Sequence, residues 1–198
     1  MQRIRIILWV VVAVAAIGAG LLFLRAGAPE PQVVSRPTPV SFGGPFTLVG
    51  SDGKPFSSQR LAGRPHVMFF GFTHCPDVCP TTLARMVRLR RQLGKGTEAF
   101  DIVFVSVDPE RDGPAEVGKY AELFGEPVIG LTGSAAQIGK VKEQFGIFSA
   151  KSPDGSGGYS VDHTATVLLF GRDGKFDSTI SPEEADGPAL DKLRRITA

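Results

Sequence analysis

Residues 66–72, HVMFFGF, carry apolar side chains at nearly every position and run directly into THCPDVCP. A run this short, apolar on both alternating faces, predicts a central strand buried on both sides. Cys75 and Cys79 then fall at the strand's C-terminal end. Pro80 suits the first turn of a helix, Leu83, Met86, Val87 and Leu93 supply an apolar stripe over residues 81–93, and Gly94 stops it. The same order returns with a strand at 101–107 (DIVFVSV), a loop DPERDGP and a helix at 115–124. Strand–loop–helix alternation predicts an α/β fold with a parallel sheet.

The remaining segments fill in that layout. Residues 46–49, the turn Asp52-Gly53 and the stretch to Leu61 read as an N-terminal β-hairpin. A strand at 128–131, a helix at 134–145, a loop through Gly158, a hairpin of 164–170 with 175–178 across Asp173-Gly174, and a helix at 188–196 follow. The expected fold is thioredoxin-like with the extra N-terminal hairpin, spanning residues 41–198.

Ahead of this domain, residues 6–24 contain no charged or strongly polar side chain. As a helix they would reach about 28 Å, enough for one pass through a hydrocarbon core of about 30 Å. Arg3 and Arg5 precede the run, so the positive-inside rule keeps residues 1–5 cytoplasmic and exports the domain. The expected location is the cell inner membrane, single-pass, with the globular domain on the periplasmic side. A cleaved signal is the competing reading, but the small-residue site Ala26-Gly27-Ala28 is followed by Pro29. Residues 25–40 hold Pro29, Pro31, Pro37 and Pro39 and read as an extended, semi-rigid tether.

Charge narrows the function classes. The net charge is +2, but residues 1–40 carry four basic groups and one acid, which leaves 18 basic against 19 acidic groups in the rest. Such balance offers no clustered basic surface for phosphates, so no nucleic-acid partner is expected. Arg85, Arg88 and Arg91 share one helical face, read as a solvated polar face, with an acidic partner as the alternative. Asp108, Glu110, Arg111 and Asp112 are read as turn chemistry and solvated charge, with a partner surface as the alternative.

The two cysteines carry the chemistry. Only three residues separate Cys75 from Cys79, so a bridge between them removes little unfolded-chain entropy and is weakly motivated as a structural staple. A helix N-terminus favours thiolate, which makes these sulfurs nucleophiles or metal ligands. Two soft thiolates suit Cu(I), and a neutral imidazole as a third donor would also accommodate Cu(II) or zinc. Of the histidines, His66 opens a buried strand and reads as structural, and His74 reads as loop-orienting or exposed. His163 opens the last hairpin, where a thioredoxin-like fold brings that loop against the cysteines.

GFTHCPDVCP at 71–80, VSVDPERD at 105–112, GLTG at 130–133 and YSVDHTATVLLFGRDGKF at 159–176 together resemble, in order and spacing, the Sco/SenC family. That resemblance implies a membrane-tethered copper protein, a metallochaperone that assists assembly of the dinuclear CuA centre of cytochrome c oxidase. It implies subunit II of the oxidase as partner, with another copper chaperone or a thioredoxin-like reductant as a further one. The family's ligands for Cu(I) or Cu(II) carry over onto Cys75, Cys79 and His163, and the two cysteines also form its redox-active disulfide. Asp77 and Asp162 belong to the motif; hard carboxylates are poor Cu(I) ligands, so they are expected to orient the ligands instead. The alternative function is a thiol-disulfide reductase that keeps the CuA-site cysteines reduced, with Cys75 attacking and Cys79 resolving. Such oxidoreductases usually place a proline where this chain has Thr164-Ala165.

The mature protein is expected to keep residues 1–28. Intact mass of membrane-extracted protein checks this, and recovery from the soluble exported fraction lacking about 28 residues would refute the anchor.

Overall fold

The computed structural model describes residues 2–26, 42–155 and 157–198. The chain divides into an N-terminal unit and a unit from Val40 to Ala198. In the first, helix α1 (Gln2–Ala26) contains a 20-residue stretch, Gln2–Leu21, long and apolar enough to cross a membrane. It includes most of the apolar run read from the sequence. The tether expected over residues 25–40 lies almost wholly outside the described residues.

The second unit begins with β1 (Thr47–Gly50) and β2 (Pro55–Ser57), followed by β3 (His66–Gly71), α2 (Val78–Gln92), β4 (Asp101–Ser106) and α3 (Pro114–Glu122). Then come β5 (Ile129–Thr132), α4 (Ala135–Gln144), β6 (Ser149–Pro153), β7 (Tyr159–His163), β8 (Val167–Phe170), β9 (Phe176–Ile180) and α5 (Asp186–Ile196). One sheet has the order β2-β1-β5-β4-β3-β8-β9, with β3, β4 and β5 parallel and the outer strands antiparallel. The expected N-terminal hairpin is present, and it extends the sheet beyond β5. This is a mixed α/β sheet in the thioredoxin-like layout.

β3 is buried along its whole length because β4 and β8 flank it and helices cover it. Val67, Met68, Phe69 and Phe70 have no exposed surface, and each such side chain contributes roughly 1.5–3 kcal/mol by leaving water. With every backbone group of β3 engaged or covered, the chain first turns free at its C-terminal end, where the cysteines begin. α4 starts on a reciprocal Ser134/Gln137 capping box, and α3 starts at Pro114, whose missing N–H costs nothing there.

Three features differ from the sequence reading. Residues 149–153 form β6, which pairs with β7 in a separate two-stranded sheet; its largely solvent-facing SAKSP has no apolar alternation to announce a strand. His163 therefore ends β7 instead of opening the last hairpin. The arginine face of α2 is also not simply solvated. Arg85 and Arg88 pair with Asp186 of α5 at 2.9 and 2.6 Å, and Arg91 pairs with Glu126. Their neighbour Arg90, only 1% exposed, donates to Glu126 and to the carbonyls of Phe100 and Pro127, locking the end of α2 to the chain before β5.

The loop after β4 departs furthest from expectation. Asp112 is fully buried and its carboxylate accepts from the Thr73 N–H (2.9 Å), the Thr73 hydroxyl (2.6 Å) and the Ser106 hydroxyl (2.6 Å). Its backbone carbonyl accepts from Thr132 of β5 at 2.6 Å. The ends of β3, β4 and β5 thus meet on one residue. Asp112→Ala would strand these buried donors, and it is expected to destabilise the protein by about 3 kcal/mol in urea unfolding. A loss below about 0.5 kcal/mol, the level of an ordinary surface substitution, would contradict this role.

Candidate metal and thiol site

Between β3 and α2 the chain makes a short loop, and Cys79 lands in the first helical turn while Cys75 remains in the loop. The Cys75 sulfur accepts the Cys79 backbone N–H at 3.4 Å. A sulfur so occupies a place that an N-cap oxygen usually takes, since the Asp77 side chain makes no cap bond. Both cysteines are free thiols here, Cys75 partly exposed and Cys79 buried. Room for the Cys79 sulfur depends on Gly71, where a Cβ would lie 2.8 Å from it.

His163 reaches the same sulfur from β7. Its Nε2 lies 3.5 Å from Cys79 Sγ and its Nδ1 lies 3.1 Å from the Val161 carbonyl. A carbonyl only accepts, so Nδ1 carries the hydrogen and Nε2 keeps its lone pair toward the sulfur. Phe72 meets the imidazole edge-on at 5.5 Å and Phe69 at 6.2 Å, so two rings from β3 and its continuation bracket it.

Burial shifts both groups toward their neutral forms. It pushes the Cys79 thiol well up, aided by the nearby Cys75 and Asp112 and opposed by a backbone hydrogen bond at Phe72. It pulls the His163 imidazole down, against the Val161 hydrogen bond and the charge of Asp162. The resting pair is a buried S–H directed at a neutral imidazole nitrogen. A soft cation would displace the thiol proton and be met by thiolate and imidazole together.

Cys75 and His163 line one open groove with Phe72, Asp77, Val78, Asp162 and Ala165. Among the described residues, no three His, Cys, Asp or Glu side chains are already closed into a metal cage. The arrangement is a formed Cys79–His163 pair with Cys75, whose sulfur lies beside the Cys79 thiol, partly exposed at its mouth. Asp77 and Asp162 are exposed. Asp77 accepts the Thr81 hydroxyl at 3.2 Å, and Asp162 bears on His163 through charge. His66, buried, stacks on Phe170 at 4.8 Å and is structural, while His74 approaches Thr73 and Asp112 and so helps orient the loop.

The sequence reading undervalued the DPERD loop. Asp108, 1% exposed, accepts from Arg111 Nε at 2.5 Å and from the Tyr159 hydroxyl at 3.0 Å, and the adjacent Asp112 holds Thr73. This loop therefore supports the cysteine loop on one side and the histidine hairpin on the other. The available signal was its position at the carboxyl end of a parallel strand, where α/β sheets place their sites.

Fold and site define a thioredoxin-like protein whose helix-terminal C-x-x-x-C pair faces a histidine from a separate hairpin. A model of the SCO1/SenC family matches residues 35–198, through α5 to the end of the chain. The chain belongs to the SCO1/SenC family. A putative copper-binding protein of Stutzerimonas stutzeri is 39% identical over 142 residues, covering 71% of this chain and 70% of that one. The copper-bound structure of Bradyrhizobium japonicum ScoI superposes with a TM-score of 0.71 at 40% identity, over 78% of this chain and 99% of that one. BsSco, described as having a disulfide switch and as a member of the Sco family of cytochrome c oxidase assembly proteins, superposes with a TM-score of 0.62 at 27% identity, over 78% and 92%.

The asymmetry of the thiols has a direct consequence. At pH 8 an alkylating agent should label Cys75 at least about tenfold faster than Cys79, because Cys75 is partly exposed while burial shields Cys79 and pushes its thiol up. Peptide mass mapping over time checks this, and equal rates would show that Cys79 is not held as described.

Proposed function

We propose that this chain is a membrane-anchored copper metallochaperone that assists assembly of the CuA centre of cytochrome c oxidase. One copper ion is its cargo, held by Cys75, Cys79 and His163. The observation that carries the reading is the Cys79 Sγ to His163 Nε2 approach of 3.5 Å with Nδ1 committed to Val161. It brings a thiol and an oriented neutral imidazole together from positions 84 residues apart, which thiol exchange does not require. Copper bound to the Bradyrhizobium relative, and the name of the Stutzerimonas relative as a putative copper-binding protein, support it.

In this reading Cys79 and His163 form the inner half of the site and Cys75 the accessible half. Copper arriving from a donor meets Cys75 in the open groove, displaces the thiol protons, and is drawn down to Cys79 and His163. Two thiolates satisfy Cu(I); the imidazole completes a set suited to Cu(II). Release to an acceptor runs in reverse through Cys75. The acceptor is the CuA domain of oxidase subunit II, and another copper chaperone or a thioredoxin-like reductant would load or reduce the site. α1 is the anchor in the inner membrane, with residues 1–5 cytoplasmic, residues 25–40 a tether, and residues 41–198 the periplasmic domain.

A second reading rests on the exposed Cys75 sulfur at the N-terminus of α2. Its thiolate can attack a partner disulfide, forming a mixed disulfide and releasing one partner thiolate. Cys79, as thiolate, then attacks the Cys75 sulfur, releasing the second and leaving a Cys75–Cys79 disulfide. The two electrons gained by the partner come from this cysteine pair. The disulfide switch described for BsSco supports such chemistry.

The two readings separate at His163. His163→Ala is expected to weaken Cu(II) far more than Cu(I) and to lower CuA content in cells at limiting copper, while reduction of a model disulfide persists. Cys75→Ser should abolish both activities. Full CuA content with His163→Ala and none with Cys75→Ser, at equal protein levels, would reject metal delivery in favour of the reductase.

A further inference from the structure

The β6–β7 hairpin that ends in His163 shares no ladder hydrogen bonds with the central sheet. Its position must come from side chains and from its connections. At its base Phe148 and Thr164 bond to each other, which closes the hairpin but ties it to nothing else. Lys151–Glu110 is a largely exposed pair, worth little in water. Val161 enters the core. His163 meets Cys79 and Phe72 at one end, and Arg111 and Asp108 hold the other.

Arg111 stands on the DPERD loop and grips the hairpin at Tyr159. Its Nη1 donates to the Tyr159 carbonyl at 2.9 Å, and its guanidinium lies 3.8 Å from the centre of the Tyr159 ring. Its Nε is fixed by Asp108 at 2.5 Å, and the Tyr159 hydroxyl donates to the same carboxylate at 3.0 Å. The guanidinium is also 5.8 Å from Phe72, the ring that meets His163 edge-on. Tyr159 and His163 are four residues apart on one strand, so both stand on the same face of it. Holding Tyr159 therefore sets where the imidazole falls against Cys79.

The grip is also releasable. Arg111 Nη2 is buried without a hydrogen-bond partner among the described residues. A buried unpaired donor costs free energy that water would restore if the hairpin swung out. Opening is thus opposed by the stack and the two hydrogen bonds and favoured by the stranded Nη2 donors.

We propose that Arg111 is a positioning residue for His163, a latch that holds the β6–β7 hairpin closed over the cysteines and thereby determines whether the imidazole joins the thiolates. This inference rests on the copper reading above and deepens it. With the latch closed, the site offers two sulfurs and a nitrogen; with it open, it offers the two sulfurs alone. The latch selects between oxidation states of the cargo, since Cu(I) is satisfied by the thiolates while Cu(II) calls for the imidazole.

The test compares wild type with Arg111→Met, Arg111→Lys, Tyr159→Leu and His163→Ala, using Cu(I) and Cu(II) separately and hydrogen exchange of the metal-free protein. Arg111→Met is expected to lower Cu(II) affinity by about 10–100-fold, the range seen when a partner that orients a ligand is lost. Cu(I) affinity should change less than about threefold, because the two thiolates that hold it are untouched. The Cu(II) spectrum should move toward that of His163→Ala, and amides of 149–163 should exchange faster while those of β3 and β4 do not. Arg111→Lys keeps the charge but loses the planar fork and its stack on Tyr159, so it should fall between. Tyr159→Leu removes the ring stack and the hydroxyl bond to Asp108 from the hairpin side, leaving only the bond from Arg111 to the backbone carbonyl at 159, and decides the matter should Arg111→Met fail to fold. Wild-type Cu(II) affinity and spectrum in Tyr159→Leu and in any folded Arg111→Met would overturn the latch, as would equal weakening of Cu(I) and Cu(II). If His163→Ala itself leaves Cu(II) unchanged, the copper reading of His163 falls, and the latch falls with it.

Discussion

A single buried carboxylate holds the working end of this molecule together. Asp112 has no exposed surface, yet it receives two donors from Thr73 and one from Ser106, while its carbonyl receives Thr132. A charge removed from water is tolerable only when its oxygens are fully engaged, so the carboxylate draws three strand ends to fixed positions around itself. Thr73 is two residues from Cys75. The loop that carries the thiols is thus nailed at its start by Asp112 and at its end by the first turn of α2.

Against that fixed frame the site is uneven by construction. Cys79 sits in the helix, roofed by β3 and made possible by Gly71, and its buried sulfur lies 3.5 Å from His163 Nε2. Cys75 sits before the helix with its sulfur at the groove. The imidazole arrives on a hairpin that is its own small sheet. A resident metal is commonly held by ligands that are all preset. A carrier has the opposite requirement, with one donor accessible for capture and release and another brought in by a separable element.

Charge is used inside the molecule more than on its surface. The arginines of α2 hold α5 and the chain ahead of β5, with Arg90 buried against Glu126 and two carbonyls. Planar guanidinium groups present five donors in a rigid fork, which lets one side chain hold several carbonyls and a carboxylate in fixed directions. The charged DPERD loop behaves the same way: Asp108, Arg111 and Asp112 face inward and tie neighbouring segments, and only Glu110 stands largely in water.

The central strand, the thiols at its end, the helix after them and the N-terminal apolar helix were legible in the amino-acid sequence. Each is signalled by neighbours within one strand or a few helical turns: an apolar run in 66–72, a proline at the helix start, a stripe at helical spacing. The pairing of His163 with the cysteines was anticipated through the fold and the family resemblance rather than through local spacing. β6 escaped because solvent lies along most of it, so no burial periodicity is imprinted on SAKSP. The roles of Asp108, Arg111 and Asp112 escaped because a charged loop reads as solvated unless one knows what packs over it. Local propensity and binary pattern are written along the chain, whereas the desolvation that turns these charges into fixed hydrogen-bonding partners exists only once β3, β4, β5 and the histidine hairpin have converged. Sequence alone determined which residues could hold a soft ion, and tertiary structure decided that Cys79 and His163 already meet while Cys75 waits at the mouth.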